Sequence, residues 1–214
     1  RLSRSNSIDF GVFSRTEEGH IISTSPERFF KVNGKKMVTT PIKGTAGKTG
    51  ERKEDKARRK GLIESEKNRA ELAMIVDLLR NDISAICKQG TVTVKGFPLL
   101  KELKNLYHLY ANIEGKLEPG IGLSHIIKAV FPGGSVTGCP KIRACQIMDE
   151  LERGGRGLYT GTFGYADFQG RMDFNIMIRS LFMKGHRFIF NVGGGITLLS
   201  TPEDEYQETI HKAS

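Results

Sequence analysis

The chain opens with short apolar segments in which hydrophobic and polar residues alternate, each followed by turn-forming residues. A period of two is typical of strands with one buried face. Asn33-Gly34 between two of these segments predicts a hairpin turn. The same pattern returns later in the chain. The predicted strands cover 10–14, 21–23, 29–32, 37–40, 91–94, 106–113, 159–165, 174–182, 188–192 and 196–199.

A helical period replaces this alternation over 54–80, where Leu62, Ile75 and Leu79 fall at helical spacing, so this stretch predicts a long or broken helix. Pro202 suits the first position of a final helix, with Thr201 or Ser200 as its cap. The remaining helices are predicted over 123–129, 142–152 and 203–213. No repeat or low-complexity linker separates these elements, which favours one mixed α/β (α+β) unit over 1–214.

The charge balance changes this picture only locally. The 214 residues have a net charge of +9, which suggests nucleic acid or another anionic partner. Nearly half of the excess lies in the polar segment 48–60, which holds no aromatic residue for stacking against bases. We therefore interpret 48–60 as a solvent-exposed surface and expect no nucleic-acid partner. No apolar run approaches the roughly 18 residues of a membrane helix, so no membrane partner is expected either.

Three cysteines, Cys87, Cys139 and Cys145, form neither a CxxC pair nor an even set. This usage favours reduced thiols and a cytoplasmic protein. The chain begins with Arg1 and has no apolar signal segment, so we expect it to be part of a longer protein.

Two glycine-containing stretches match part of the pattern of a nucleotide-binding loop, but neither matches all of it. Gly47-Lys48-Thr49 has the correct ending, but Ile42 occupies the position of the required earlier glycine. Gly133 and Gly138 have the correct separation, but Cys139-Pro140 follows where lysine and a hydroxyl residue are needed. A nucleotide-binding function is therefore not supported.

Four other stretches place polar residues beside glycines or prolines at predicted strand ends. Glycine allows a backbone to approach a ligand, and its amide groups can hold a carboxylate. For each stretch taken alone, a turn is the simpler interpretation. The stretches are Ser25-Pro26-Glu27, Pro41-Ile42-Lys43-Gly44-Thr45, Pro132 to Lys141, and Gly193-Gly194-Gly195.

Carboxylates at helical spacing give a second candidate chemistry. Glu205 and Glu208 share a face of the predicted last helix with Lys212, and Asn68 and Glu71 have the same three-residue spacing on the earlier helix. Two helices that present oxygen ligands to one gap suit Mg²⁺. The alternative is a pair of solvated helix faces.

His108 and Arg179 each interrupt an apolar, strand-like run. A structural histidine is the alternative for His108. Arg179 is suited to binding a carboxylate, because burying a guanidinium without an anion is costly.

Taken in order, these segments resemble the chorismate-utilising enzymes, which include the anthranilate, aminodeoxychorismate, isochorismate and salicylate synthases. The resemblance runs from about Asn6 to the end of the chain. The matching residues are Ser25-Pro26-Glu27-Arg28-Phe29, Pro41-Ile42-Lys43-Gly44-Thr45, Ala70-Glu71, Met74 to Asp82, His108-Leu109, Gly138 to Ala144, Arg156 to Gly161, Ile178-Arg179-Ser180, Gly193 to Ile196, Glu205 to Thr209, and Lys212-Ala213.

The resemblance implies a two-sheet β-sandwich flanked by helices, of the anthranilate synthase component I type. It covers only the C-terminal portion of that single domain, so the N-terminal half of the family domain is expected to be absent from these 214 residues.

The resemblance also implies site roles. Glu71, Glu205 and Glu208 correspond to Mg²⁺ ligands, and Asn68 departs from the acidic residue usual at its position. Glu27 and His108 correspond to residues of proton transfer or leaving-group assistance. The implied substrate contacts are Gly44, Thr45, Ser135, Tyr159, Arg179, Gly193, Gly194, Gly195 and Lys212.

Lys43 distinguishes subgroups of the family. Pro-Ile-Lys-Gly-Thr resembles the aminodeoxychorismate synthases, whereas anthranilate synthases resemble Pro-Ile-Ala-Gly-Thr. In the former the lysine is a nucleophile toward chorismate, which it attacks in its neutral form. The resemblance thus implies amination of chorismate at C4 with ammonia from a glutaminase subunit. The alternatives are an anthranilate synthase component I and a binding-only module without turnover.

Overall fold

The computed structural model describes residues 10–198 and 200–213, which contain thirteen strands and five α-helices. The strands are β1 Phe10–Thr16, β2 Gly19–Ser25, β3 Arg28–Asn33, β4 Lys36–Thr40, β5 Ile42–Gly47, β6 Thr93–Val94, β7 Leu99–Glu102, β8 Leu106–Tyr110, β9 Ile113–Lys116, β10 Thr162–Ala166, β11 Met172–Ile176, β12 Ser180–Lys184 and β13 Arg187–Phe190. The helices are α1 Arg52–Glu64, α2 Glu66–Ser84, α3 Leu123–Val130, α4 Lys141–Leu151 and α5 Pro202–Ala213, and a 3₁₀ turn covers Gly134–Val136.

The predicted mixed α/β class is confirmed, and the strand pairs are antiparallel throughout. Three hydrogen-bonded sheets are present where the resemblance implied two. Their strand orders are β1-β2-β12-β13, β10-β11-β3-β4-β9-β6 and β5-β8-β7.

Two bent strand pairs join these sheets. The pair β4–β9 of the six-stranded sheet continues into the pair β5–β8 of the three-stranded sheet, and the Ala111 N–H donates to the Pro41 carbonyl at 3.2 Å across the bend. In the same way β3–β11 continues into β2–β12, where the Ile176 N–H donates to the Glu27 carbonyl at 3.1 Å. The three sheets therefore form one continuous system.

Helix α2 lies against this sheet system, with Leu72, Ile75, Leu79 and Ile83 buried along one face. It approaches β5, β8 and β9. Burial of each large aliphatic side chain contributes about 1.5–3 kcal/mol, so this face anchors α2 beside the bends.

The predicted helix over 54–80 is broken. Ser65 ends α1 in an extended conformation, and its hydroxyl accepts a hydrogen bond from the Asn68 N–H at 3.3 Å, which caps α2. The capping oxygen satisfies an amide that a continuous helix would bond to a carbonyl.

Several strand predictions were wrong. The predicted strands 106–113 and 174–182 are each split in two, because the chain changes sheet within them. Residues 196–198 form no strand, and Leu199 lies outside the described residues. The strand predicted over 159–165 starts only at Thr162, since Thr160 has a left-handed φ of 63°.

Strands β5 and β7 were not predicted. Ile42–Gly47 consists mainly of small and polar residues, so it lacks the alternation that reveals a half-buried strand. A bulge between Lys43 and Thr45 further disrupts its period, with Gly44 at a φ of 78°.

The exposed surface predicted for 48–60 is confirmed. Leu62 is the buried residue that α1 contributes, and the charged side chains form surface pairs such as Arg58 with Glu54 at 2.7 Å. Cys87, Cys139 and Cys145 are free thiols. None of the helices in the described residues is both long and apolar enough to span a membrane.

A matched pair of Gly→Ala changes tests this packing. In β10 a Cβ on Gly164 would lie 2.2 Å from the Asp173 carbonyl oxygen, whereas a Cβ on Gly61 in α1 meets nothing within 4 Å. We expect Gly164→Ala to lower the free energy of unfolding by about 1–3 kcal/mol and Gly61→Ala to raise it by up to about 1 kcal/mol. Urea denaturation measures both, and equal effects would contradict the packing around Gly164.

Candidate active site

The triple-glycine segment 193–195 passes between three side chains that the sequence placed in different roles. A Cβ on the first glycine would lie 2.6 Å from the Tyr159 hydroxyl, and one on the second 2.7 Å from Glu205 Oε2. A Cβ on the third would lie 3.6 Å from Lys43 Nζ. At the first two distances a Cβ would displace the Tyr159 hydroxyl and the Glu205 carboxylate, so glycine lets the backbone approach both side chains where they stand.

Helix α5 holds the carboxylates beside this segment. Pro202 is its first residue, and the Thr201 hydroxyl accepts a hydrogen bond from the Asp204 N–H at 3.3 Å, so the predicted start and one of the two predicted caps are confirmed. Ser200 has a different role, because its hydroxyl donates to Glu205 Oε1 at 2.6 Å. Ser200 was predicted only as one of two caps, so its contact with Glu205 was not predicted, and its position next to the cap was the available signal.

The other oxygen of Glu205 suits a cation. Glu205 Oε2 is buried and has no hydrogen-bond partner among the described residues. Glu208 Oε1 is 4.0 Å from the Cβ position of Gly194, so both helix carboxylates approach the same glycine. An orphaned carboxylate oxygen beside a second carboxylate is a donor set for a hard divalent ion such as Mg²⁺.

Lys212 contacts both helix α5 and the triple-glycine segment. Its ammonium forms an ion pair with Glu208 one helical turn away and donates to the Gly193 carbonyl at 3.0 Å. Lys212 thus ties α5 to the triple-glycine segment.

Glu71 lies on the other helix, α2, where it is half-buried. Within residues 10–198 and 200–213, no group of three or more His, Cys, Asp or Glu side chains is arranged as a metal site. The structure therefore brings Glu205 and Glu208 together and leaves the three-carboxylate ligand set as a prediction.

Glu27 occupies the bend between β2 and β3 and is 7% exposed. The Ser25 hydroxyl fixes this bend by accepting from the Glu27 N–H at 3.2 Å and donating to the Ile176 carbonyl at 2.6 Å. Burial raises the pKa of Glu27 to about 7, although the Ser135 hydrogen bond and the charge of Lys43 act in the opposite direction. Near neutral pH, this carboxyl is therefore poised between its acid and base forms.

Ser135 reaches Glu27 from the 3₁₀ turn Gly134–Val136. This turn packs on α2, since a Cβ on Gly134 would lie 2.8 Å from the Leu78 side chain. The turn is thus held against the helix that carries Glu71.

His108 on β8 is 3% exposed, and its Nδ1 is 2.8 Å from the Thr45 hydroxyl on β5. Burial, together with the nearby charge of Arg179, lowers the pKa of His108 to about 4. The imidazole is therefore neutral at physiological pH. Its Nε2 is buried without a hydrogen-bond partner in the described part of the chain, which leaves that atom available to a ligand.

Arg179 does not sit inside a continuous strand, as the apolar run had predicted. It is exposed, has a left-handed φ of 50°, and lies where the chain leaves β11 for β12. The Thr24 N–H donates to its carbonyl at 3.0 Å. Arg179 therefore belongs to the bend between two sheets, and its backbone is tied to β2.

Asn68 lies against the β5 bulge. A Cβ on Gly44 would lie 3.0 Å from the Asn68 side chain, so Gly44 has to be a glycine for both its φ of 78° and this contact. The residue that departs from the family pattern is therefore adjacent to the segment that carries Lys43.

Comparison with known proteins shows the family of this chain. The family model described as chorismate binding enzyme matches residues 1–214. Aminodeoxychorismate synthase component 1 of Salmonella typhimurium is 39% identical over 214 residues, and that of Bacillus subtilis is 38% identical over 212 residues. The chain is covered to 100% and 99% in these matches, but it spans 47% and 45% of those proteins.

Solved structures give the same result for the fold. Anthranilate synthase component I from Streptococcus pneumoniae superposes with a TM-score of 0.90 at 36% identity, covering 99% of this chain and 47% of its own. The menaquinone-specific isochorismate synthase MenF from Escherichia coli gives 0.83 at 26% identity, covering 92% of this chain and 45% of its own. The predicted fold type is confirmed, and the chain spans about half the length of the relatives it matches. Over its whole length, the chain belongs to the family of chorismate binding enzymes.

Proposed function

We propose that this protein aminates chorismate at ring C4 to give 4-amino-4-deoxychorismate, in the route to para-aminobenzoate and folate. Ammonia would come from a glutaminase subunit. The observation that carries the proposal is the place of Lys43, whose Nζ lies beside Gly195 and whose charge acts on Glu27. Relatives named aminodeoxychorismate synthase component 1 support it further.

The cations of the site match the charge of the substrate. Chorismate carries two carboxylates, which need neutralising groups when they leave water. Lys212 lies at the triple-glycine segment, and Arg179 lies near enough to His108 to help lower its pKa. The Tyr159 hydroxyl at Gly193 adds a hydrogen-bonding group on the same wall. We assign these residues to binding the substrate carboxylates.

Lys43 would form the covalent intermediate. In this mechanism its neutral amine attacks ring C2 while the C4 hydroxyl leaves, and ammonia then attacks C4 as the lysine is expelled from C2. The amine is regenerated, so the net change is replacement of hydroxyl by amino at C4.

Glu27 and His108 divide the proton chemistry, because their environments move their pKa values in opposite senses. Glu27, with a pKa of about 7, holds a proton that the poor leaving hydroxyl requires. Neutral His108 offers Nε2 for a hydrogen bond to the ligand. We therefore assign the acid to Glu27 and a positioning contact to His108.

Glu205, Glu208 and Glu71 would hold Mg²⁺. The bound ion supplies charge neutralisation at a substrate carboxylate. The chain's contribution is to keep Glu205 oriented through Ser200 and Glu208 oriented through Lys212.

Anthranilate synthesis is the second candidate. Anthranilate synthase component 1 of Aquifex aeolicus is 39% identical over 193 residues, covering 90% of this chain and 39% of that protein. Incubation of the full-length protein with chorismate, Mg²⁺ and ammonia separates the two. Mass analysis should find the amino-substituted chorismate with its enolpyruvyl group retained, whereas a fluorescent ortho-amino acid would establish the alternative.

Lys43→Ala tests the nucleophile. We expect it to reduce ammonia-dependent amination by about 10²-fold or more and to remove any covalent chorismate adduct seen by intact-protein mass spectrometry. Lys53→Ala, at an exposed position of α1, is the matched control. Unchanged amination in Lys43→Ala would contradict the assignment.

Glu27→Gln tests the acid. Amination by the parent protein should fall as pH rises through about 7, where Glu27 loses its proton. The variant should be slower by about 10²-fold and should lack this limb of the pH profile. Glu17→Gln on the exposed β1–β2 turn is the control. If the fall in rate near pH 7 persists in Glu27→Gln, it arises from another titrating group.

The same carboxyl makes stability depend on pH. The pKa of Glu27 is raised from 4.5 to about 7 in the folded state, so folding binds a proton between these values and stability falls as pH rises. We expect Glu27→Gln to gain about 1–3 kcal/mol relative to the parent between pH 5 and pH 8. Urea denaturation at both pH values measures this, and a gain that is equal at both would contradict burial of the ionised carboxyl.

A further inference from the structure

Arg156 contacts three segments of the candidate site without a role in the proposed chemistry. Its Nη1 donates to the Val136 carbonyl at 3.1 Å and to the Thr160 hydroxyl at 3.3 Å. Val136 follows Ser135 in the 3₁₀ turn, and Thr160 follows Tyr159. One guanidinium thus joins the turn that reaches Glu27 to the segment that carries Tyr159.

The guanidinium is itself held in a fixed orientation. Its Nε donates to Glu152 Oε2 at 2.9 Å, and its Nη2 pairs with Glu152 Oε1. This side-by-side pairing uses the planar geometry of arginine, which lysine lacks. The Arg156 side chain is 26% exposed, so most of it lies within the protein.

The backbone and ring of the same segment extend these contacts to the triple-glycine segment. The Arg156 carbonyl accepts from the Tyr159 N–H at 3.0 Å and from Asn191 Nδ2 at 3.4 Å. Its guanidinium carbon lies 5.8 Å from the centre of the Tyr159 ring, whose hydroxyl is at Gly193. Movement of Arg156 would therefore displace both Tyr159 and the entry to 193–195.

We propose that Arg156, fixed by Glu152, is a positioning residue that sets Ser135, Tyr159 and the triple-glycine segment in one arrangement for the substrate. Its effect on chorismate rests on the proposed function. Its effect on the ligand-free protein does not, because Arg156 contacts the Val136 carbonyl, and the neighbouring Ser135 contacts Glu27, without any ligand.

Arg156→Lys is the informative change, since it keeps the charge and removes the planar set of donors. Arg143→Lys is the matched control. Arg143 lies on α4, is exposed, and pairs with Glu150 at 3.2 Å. Glu152→Gln keeps Arg156 but weakens the pairing that orients its guanidinium. It should therefore change the same measurements in the same direction as Arg156→Lys, by a smaller amount.

The first experiment needs no ligand. Urea denaturation across pH 5 to 9 reports the folded-state titration of Glu27, which the Ser135 hydrogen bond keeps lower than burial alone would. Arg156→Lys should move that midpoint to higher pH, and the shift should vanish when Glu27→Gln is also present. A midpoint equal to that of Arg143→Lys overturns the proposal, as does a uniform loss of stability at every pH.

The second experiment measures the KM for chorismate in the amination reaction of the full-length protein, with Mg²⁺ and ammonia present. Arg156→Lys should raise KM about tenfold or more relative to Arg143→Lys, and Glu152→Gln should raise it less. An unchanged KM overturns the proposal for substrate positioning. If the parent protein fails to bind chorismate, the proposed function fails, and the ligand-free midpoint still decides whether Arg156 positions Ser135.

Discussion

The burial of Glu27 at the bend between β2 and β3 is the constraint on which the candidate site depends. A carboxyl that is 7% exposed needs hydrogen bonds and nearby positive charge, and Ser135 and Lys43 supply them from two other parts of the chain. The 3₁₀ turn, the β5 bulge and the sheet bend are therefore linked by one titratable group.

The sheet bends explain why the chemistry is concentrated here. At each bend, a strand pair leaves one sheet for the next, and the ladder hydrogen bonds pass through Glu27 and Pro41 carbonyls. Side chains at such positions do not follow the alternation of a strand. Glu27, Lys43 and Arg179 all lie at or beside these bends, where Glu27 is buried, Lys43 is half-buried and Arg179 is exposed.

Much of the fold could be predicted from the sequence. The predictions failed where contacts between distant segments, and not local residue patterns, decide the structure. The helices predicted over 123–129 and 203–213 are confirmed, because helical period and, for the second, Pro202 with its Thr201 cap are local signals. Strands over 106–113 and 174–182 were predicted as single elements, because the apolar pattern continues through the point where the chain passes from one sheet to the next. Strand β5 was missed because its small and polar residues are held by pairing with β8.

The sequence by itself determined the α/β class and the family motifs, because these depend on local period and on residue types in a fixed order. The candidate site residues were named through the resemblance that those motifs carry. Only the tertiary structure decided that Glu205, Tyr159 and Lys43 meet along 193–195, that Glu27 is half-protonated near pH 7, and that His108 is neutral. Those properties arise from burial and from contacts between distant segments, which a linear sequence does not display.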